Sequence, residues 1–314
     1  LYAFAPIHGG RHYRIWGTVG SACRVEVQLY SGDPWAGAGA GASVGYLPFE
    51  DLVVEDDGSF TVELAADPGP GSGLVNPPEA TSVFVRHIYD RWTDEPIGEV
   101  HIDLVGEEGV RVLPASPAET AERLRRAGEI LDQAVTVWPA FVHARYVARF
   151  PNTVSDLVDT YALGGVRGRW MAGGHFDLAP DQALVVVTRP TDAAYQAIQL
   201  TDMWFASLEY ANLVSSLTTT QSVLGPDGAF HTIICAEDPG YPNWLDTGGH
   251  RRGVFLLRYD GVPGSVPTEA RPTARLVDVA DLASVVPGRA DAEMPDRAVT
   301  RAARRRHLQR RTHR

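Results

Sequence analysis

The sequence predicts a mainly β protein: two antiparallel β-sandwiches, jelly-roll-like and of similar topology, joined by a helical segment. Three observations predict it. Short apolar runs are broken by turn residues, with 31 Gly and 22 Pro in 314 residues, the pattern of sandwiches rather than of a parallel sheet. A set of motifs occurs once in each half of the chain. One well-capped helix pattern lies between the halves.

Taken in order, residues 1–7 alternate and read as a strand. The tract Gly37-Ala38-Gly39-Ala40-Gly41 invites a dinucleotide-loop reading. Position 42 is Ala and 44 is Val, so no G-x-G-x-x-G closes and the tract reads as a loop between strands. Asp57-Gly58-Ser59-Phe60 is a hairpin signal, since Gly tolerates a positive φ. The run Phe60-Thr61-Val62-Glu63-Leu64 then alternates like a half-buried strand. Asp67-Pro68-Gly69 and the apolar run Val83-Phe84-Val85-Arg86 follow. The second half answers with Asp227-Gly228-Ala229-Phe230, Asp238-Pro239-Gly240 and Phe255-Leu256-Leu257-Arg258. By the same matching, Leu208-Glu209-Tyr210 stands for Leu29-Tyr30, and Pro242-Asn243-Trp244-Leu245 for Gly73-Leu74-Val75-Asn76-Pro77. Between the halves, Ser116, Pro117 and Glu119 form a capping box that starts a helix over 118–137. Its apolar stripe is Leu124, Ala127, Ile130, Leu131, Ala134 and Trp138, and Pro139 should kink or end it. Residues 142–150 are expected to continue as a second helix, 183–188 as a strand, 201–210 as a strand, and 263–286 as an extended wrap ending in a short helix. The implied organisation is a first sandwich over 1–108, a helical linker over 109–160, a second sandwich over 161–285 and an arm over 286–314.

Charge sharpens this. All 28 basic residues are Arg, which excludes Lys-dependent Schiff-base, pyridoxal and phosphate-loop chemistry. Residues 1–296 hold 20 Arg against 39 acids, a charge of −19, and the eight Arg of residues 297–314 add +8 to give the net −11. Such a body is a poor nucleic-acid surface, so no nucleic-acid partner is expected. The Arg-rich tail is expected to be a helix or arm docking on an acidic surface of this chain or of a second copy in a homo-oligomer. No apolar run is long enough for a transmembrane helix. The chain begins at Leu1, so preceding residues are expected, and the absence of a signal peptide here is uninformative; a cytoplasmic location is slightly favoured. Cys23 and Cys235 are expected to be buried free thiols, and with two Cys and no C-x-x-C neither a metal site nor a cofactor is expected.

The second half carries three long blocks. They are Gly173-Gly174-His175-Phe176-Asp177-Leu178-Ala179-Pro180-Asp181-Gln182, then Trp204-Phe205-Ala206-Ser207-Leu208-Glu209-Tyr210-Ala211-Asn212, then Asp238-Pro239-Gly240-Tyr241-Pro242-Asn243-Trp244-Leu245-Asp246-Thr247-Gly248-Gly249-His250. Over roughly 165–262 the chain resembles the DUF1214 domain family, often found with a DUF1254 domain in one chain. The first half looks like a divergent partner. The resemblance implies tandem β-sandwiches and leaves the chemistry open.

Two functions stay in view. One is an enzyme acting on a small organic molecule in a cleft between the sandwiches, with Asp246, His250 and Tyr210 as candidate catalytic groups. Asp246 and His250 could form an acid–base pair. The other is a non-catalytic sandwich that binds a carbohydrate or lipophilic ligand, or serves as an assembly module. Its anchors would be Trp204 and Trp244, with Asn212, Asn243, Arg252 and His175 as polar contacts. Trp204, Tyr210 and Asn212 would share one strand face. The competing assignment for each is structural: Trp244 as a plug, Asn243 and Asp246 as turn caps, Asp238 as an Asx turn.

Overall fold

The computed structural model describes residues 1–33, 41–93, 96–110, 114–161, 165–288 and 294–312. It divides into two compact units, Leu1–Tyr89 with Glu95–Phe141, and Asp90–Asp94 with Val142–Arg314. Gly37-Ala38-Gly39-Ala40 lie outside the described residues, and Gly41 opens a strand.

The first unit holds β1 (Tyr2–Pro6), β2 (Tyr13–Gly20), β3 (Arg24–Gly32), β4 (Gly41–Leu47), β5 (Ser59–Ala65), β6 (Gly73–Val75), β7 (Ala80–Ile88) and β8 (Ile97–Leu104). They form two sheets, β1-β7-β3-β4 and β6-β5-β2-β8. Alternation builds the core: in β2, Tyr13 and Ile15 are buried while Arg14 and Trp16 face out. The second unit holds β9 (Val158–Asp159), β10 (Trp170–Asp177), β11 (Gln182–Thr188), β12 (Tyr195–Thr201), β13 (Ser216–Thr218), β14 (Phe230–Cys235), β15 (Trp244–Asp246), β16 (Arg252–Asp260) and β17 (Thr273–Asp278). Its sheets run β13-β12-β16-β10-β9 and β15-β14-β11-β17. With β9 set aside, the order of each sheet in one unit repeats in the other. In both, a short strand joins in parallel, β6 on β5 and β15 on β14, while the remaining pairings are antiparallel. The protein is thus mainly β, two sandwiches of similar topology.

The repeated turn motifs fall at matching places. Asp57 and Asp227 accept from the amides of Ser59 (2.9 Å) and Ala229 (3.2 Å), and Gly58 and Gly228 lie at φ 82° and 72°. Asp67 and Asp238 do the same for Gly69 (3.3 Å) and Gly240 (2.9 Å), so each Asp-Gly or Asp-Pro-Gly is an Asx turn closed by a left-handed Gly. Two matches need correction. Leu29-Tyr30 lies in β3, whose counterpart is β12, so Leu208-Glu209-Tyr210 is not its equivalent. By register, Gly73 stands where Trp244 stands, and Ser72 where Asn243 stands.

The connecting helix α1 runs Pro117–Val142, passing through Pro139. Its capping box is present: Glu119 N donates to Ser116 Oγ (3.2 Å) and Ser116 N to Glu119 Oε2 (2.7 Å). The apolar stripe is not buried, for Leu124 and Leu131 are 69% and 64% exposed. Local pairing of Arg125 with Glu122 and Glu129 supports the helix instead. Residues 143–147 form a π-type turn rather than a second helix. The 263–286 segment includes β17, a strand of the sheet, before the short helix α2 (Leu282–Val285). The tail is the helix α3 (Arg297–Thr312), the second long helix among the described residues. Neither cysteine is in a disulfide, with Cys235 buried and Cys23 half-buried in a turn before β3.

Candidate functional site

The sequence-selected residues all lie in the second unit, and most serve structure there. Asn243 is buried, and its amide brackets one residue: Nδ2 donates to Val223 O and Oδ1 accepts from Val223 N, both at 2.7 Å. Trp244 is buried beside Tyr241, Val277, Leu282 and Val286, and its Nε1 donates to Cys235 O at 3.0 Å. It fills a core. Asp246 accepts from Gly248 N at 2.8 Å, a turn cap, and burial pushes its carboxyl above the usual carboxylate range. His250 is exposed in that turn, its amide bonded to Thr247 O at 3.1 Å. No hydrogen bond joins His250 to Asp246 among the described residues.

The segment expected as a strand over 201–210 is not one beyond Thr201. Asp202 accepts from the amides of Trp204 (2.8 Å) and Ala206 (2.9 Å), and Glu209 accepts from Ala211 (2.8 Å) and Asn212 (3.1 Å). These two carboxylates wind the chain into successive turns, with Phe205 at φ 68°. Strand propensity of the aromatics loses to local side-chain capping. Trp204 and Tyr210 therefore share no strand face, and they are 68% and 42% exposed. Arg252 pairs with Asp177 at 3.1 Å on the surface. His175 is buried, its Nδ1 at 3.0 Å from Tyr146 O. Cys235 is no nucleophile: burial pushes its thiol up to about 12.

What the structure does bring to this block is α3. Asp296 caps it, accepting from the amides of Ala298 (2.8 Å) and Val299 (3.1 Å). The Arg297 guanidinium bonds Asp238 at 3.0 Å and Pro242 O at 3.1 Å, and lies 5.4 Å over the Trp244 ring. Arg305 donates to Asn212 Oδ1 at 3.1 Å. Arg304 is 1% exposed, bonds Ser216 O, and sits 4.7 Å over Trp92. Arg311 lies 5.8 Å over the same indole, and His307, also 1% exposed, meets it edge-on at 5.5 Å. Burial lowers Arg304 to about 10, and burial together with Arg311 lowers His307 to about 4. The Arg-rich tail docks on its own unit, as a helix. It covers Trp244 and engages Asn212, two of the residues selected as ligand contacts.

The first unit presents an open space instead. Between its sheets, where β1 faces β8, a solvent-open cleft of about 120 Å³ is lined by Ala3, Phe4, Ala5, Ile15, Val83, Val85, Val100 and Ile102. His101 completes the lining, although its ring stacks on Trp16 on the other side of the sheet. The strand alternation puts Ala3 and Ala5 opposite Val85 and Val83. Small residues on the outermost strand leave the volume that larger ones would fill.

The second unit closes the matching place. The matched runs put Phe255 and Leu257 where the first unit has Val83 and Val85, and β10 register puts Gly173 and Gly174 where it has Phe4 and Ala5. A Cβ on Gly174 would lie 2.0 Å from Thr153 O, so the glycine lets the 152–155 segment run against β10. There Ser155 N donates to Gly173 O (2.8 Å) and Asn152 N to His175 O (2.9 Å). Leu157, Val262, Val266 and Ala270 join the same core. In consequence Ala172 to Phe176 are buried, whereas β1 alternates exposed and half-buried. The sequence contained Tyr2-Ala3-Phe4-Ala5 as a strand, but nothing local said that among the described residues it would stay half-exposed.

No family model matches the chain, and none of the curated proteins matches it. Among solved structures, the chain is similar to an uncharacterised protein from Burkholderia cenocepacia. The identity is 25% and the TM-score 0.79, over 89% of this chain and 76% of that one. A protein from Vibrio parahaemolyticus aligns at 10% identity and TM-score 0.49, over 88% of this chain and 89% of that one.

Proposed function

We propose that this protein is a non-catalytic ligand-binding protein whose first sandwich takes a small lipophilic molecule between its sheets. The observation that carries the reading is the cleft of about 120 Å³ at the β1–β8 mouth, open to solvent and lined by apolar side chains as small-molecule sites mostly are. The second unit supports it by contrast, since the same topology there is sealed by its own chain. The enzyme reading has less support: Asp246 is held in a turn, while His250 and Tyr210 are exposed. The second unit, on the residues from Gly173 to His250, is proposed as a relative of DUF1214 domains, and the shared motifs as a trace of duplication.

The test is titration with N-phenyl-1-naphthylamine, a neutral lipophilic fluorophore. Saturable one-to-one binding is expected, weakened at least tenfold in Ala5→Trp, which fills the cleft from its rim. Absence of saturable binding to the parent protein, or equal binding by a folded Ala5→Trp variant, overturns the reading.

A further inference from the structure

The outer face of the sheet β6-β5-β2-β8 differs from its counterpart in the second unit. There, β11 and β14 turn Ala183, Val185 and Ile233 outward, and these are buried under Tyr241, Val277, Leu282 and Val286. The parallel strands set the equivalence: Glu63 pairs Gly73 as Ile233 pairs Trp244. Arg14 then stands at the place of Val185, Glu63 at Ile233 and Trp16 at Val187. In the second unit this face is apolar and covered by the chain that follows β17. In the first it is polar, open, and carries one large aromatic.

That aromatic is fixed. The Trp16 ring stacks on His101 with centroids 4.2 Å apart and planes 22° from parallel, and its Nε1 donates to Asp103 Oδ2 at 2.7 Å. Both partners lie on β8, where His101 is the register partner of Trp16. One indole face is therefore taken from the β8 side. The other is turned toward β5, whose residue directly opposite Trp16 is the exposed Thr61, too small to cover an indole. Trp16 remains 42% exposed. Glu63 holds Arg14 at 2.8 Å and His12 at 2.6 Å, so donors and acceptors of set orientation lie two residues along the same sheet face from Trp16 and Thr61.

We propose that this face binds a carbohydrate. The apolar C–H face of a pyranose would stack on the open side of Trp16, above Thr61, and its hydroxyls would exchange hydrogen bonds with Glu63, Arg14 and Thr61. The chemistry selects this class. Against the single Arg14, the carboxylates Glu63, Glu99 and Asp103 leave this face acidic, which disfavours polyanions. The charged border disfavours a purely apolar ligand. An uncharged molecule with one apolar face and many hydroxyls satisfies both the ring and its border. The site is distinct from the cleft, because alternation turns Ile15, Val100 and Ile102 to one side of the sheet and the Trp16 and His101 rings to the other.

The experiment is calorimetric titration of the full chain with cellohexaose, chitohexaose, laminarihexaose and mannohexaose. Saturable binding of at least one is expected. It should weaken at least tenfold in Trp16→Ala and in Thr61→Arg, which leaves the indole in place but occupies the space above β5. Trp16→Phe should stay within about threefold of the parent, and Ala5→Trp should bind like the parent. Silence across all four oligosaccharides, binding unchanged in folded Trp16→Ala or Thr61→Arg, or binding of hexa-arginine without any glycan, overturns the proposal.

Discussion

Residues Asn243 and Ser72 show how one structural need is met by different side chains. Each precedes the short parallel strand of its unit. Asn243 satisfies both backbone groups of Val223, and Ser72 Oγ accepts from Val53 N at 2.6 Å. The task in both is to satisfy a loop backbone that passes under the sheet, where an orphaned amide is costly. Asn243→Ala should therefore destabilise the second unit by about 2–4 kcal/mol, since each buried backbone group left unpaired costs ~1–3 kcal/mol. Asn243→Ser should recover part of this by keeping an acceptor, as Ser72 does. Urea unfolding of both variants checks it; equal stability of Asn243→Ala and parent would refute the bracket as a stabilising feature. From sequence, the Pro-Asn-Trp run stood out for its rarity, and rarity does not distinguish a ligand contact from a demanding turn.

At the level of elements, α3 and the turns after β12 were the least legible parts. The tail announced a helix through its i,i+4 arginines, and its charge said it would find acid. Arg297 does pair with acid, at Asp238. Arg304 and His307 are buried against an indole and backbone carbonyls instead. That docking has a pH signature. Burial, with Arg311 nearby, lowers the docked His307 imidazole to about 4 from the ordinary 6.5, so the undocked helix binds the extra proton first. Docking is at full strength above pH 6.5 and weakens as pH falls from there toward 4. The neighbouring charges around the ring, Arg304 and Arg311, remain cationic throughout and oppose its protonation. Hydrogen exchange over 297–312 should accelerate between pH 7 and pH 5 after correction for intrinsic rates, and His307→Gln should flatten the change. A pH-independent protection pattern in the parent would contradict the assignment. α1 is the opposite case: its capping box was readable to the residue, but the exposure of its stripe was not, because amphipathic spacing states that a face is apolar and not that anything meets it.

At the scale of the molecule, two sandwiches with one strand order differ in how much chain is left over to cover them. The second unit spends residues 143–157, 262–270 and 279–286 on its strand edges and outer sheet face. The first leaves β1 alternating between exposed and half-buried residues. Protection against exchange should follow: amides of β10 should exchange far more slowly than those of β1, although each pairs with the strand that follows the short parallel strand of its unit. Mass-spectrometric exchange resolves the two strands, and equal protection would show that the covering segments add nothing to local stability.

By itself, the sequence determined the strand-rich class, the paired Asp-Gly and Asp-Pro-Gly turns, the capped helix and the charge division between body and tail. Each of these is a local matter of φ preference, alternation or side-chain capping within a few residues. It pointed to the second unit for function because that is where unusual residues cluster. Only the tertiary structure decided that Trp244 and Asn243 are spent on packing and loop support, and that Ala3, Ala5 and Val100 border an open cleft while Trp16 stands uncovered. The physical reason is that burial belongs to what other segments do. A Gly-Gly pair in β10 admits a covering segment; Phe4 and Ala5 in β1 face the same choice, and no run of neighbouring residues records its outcome.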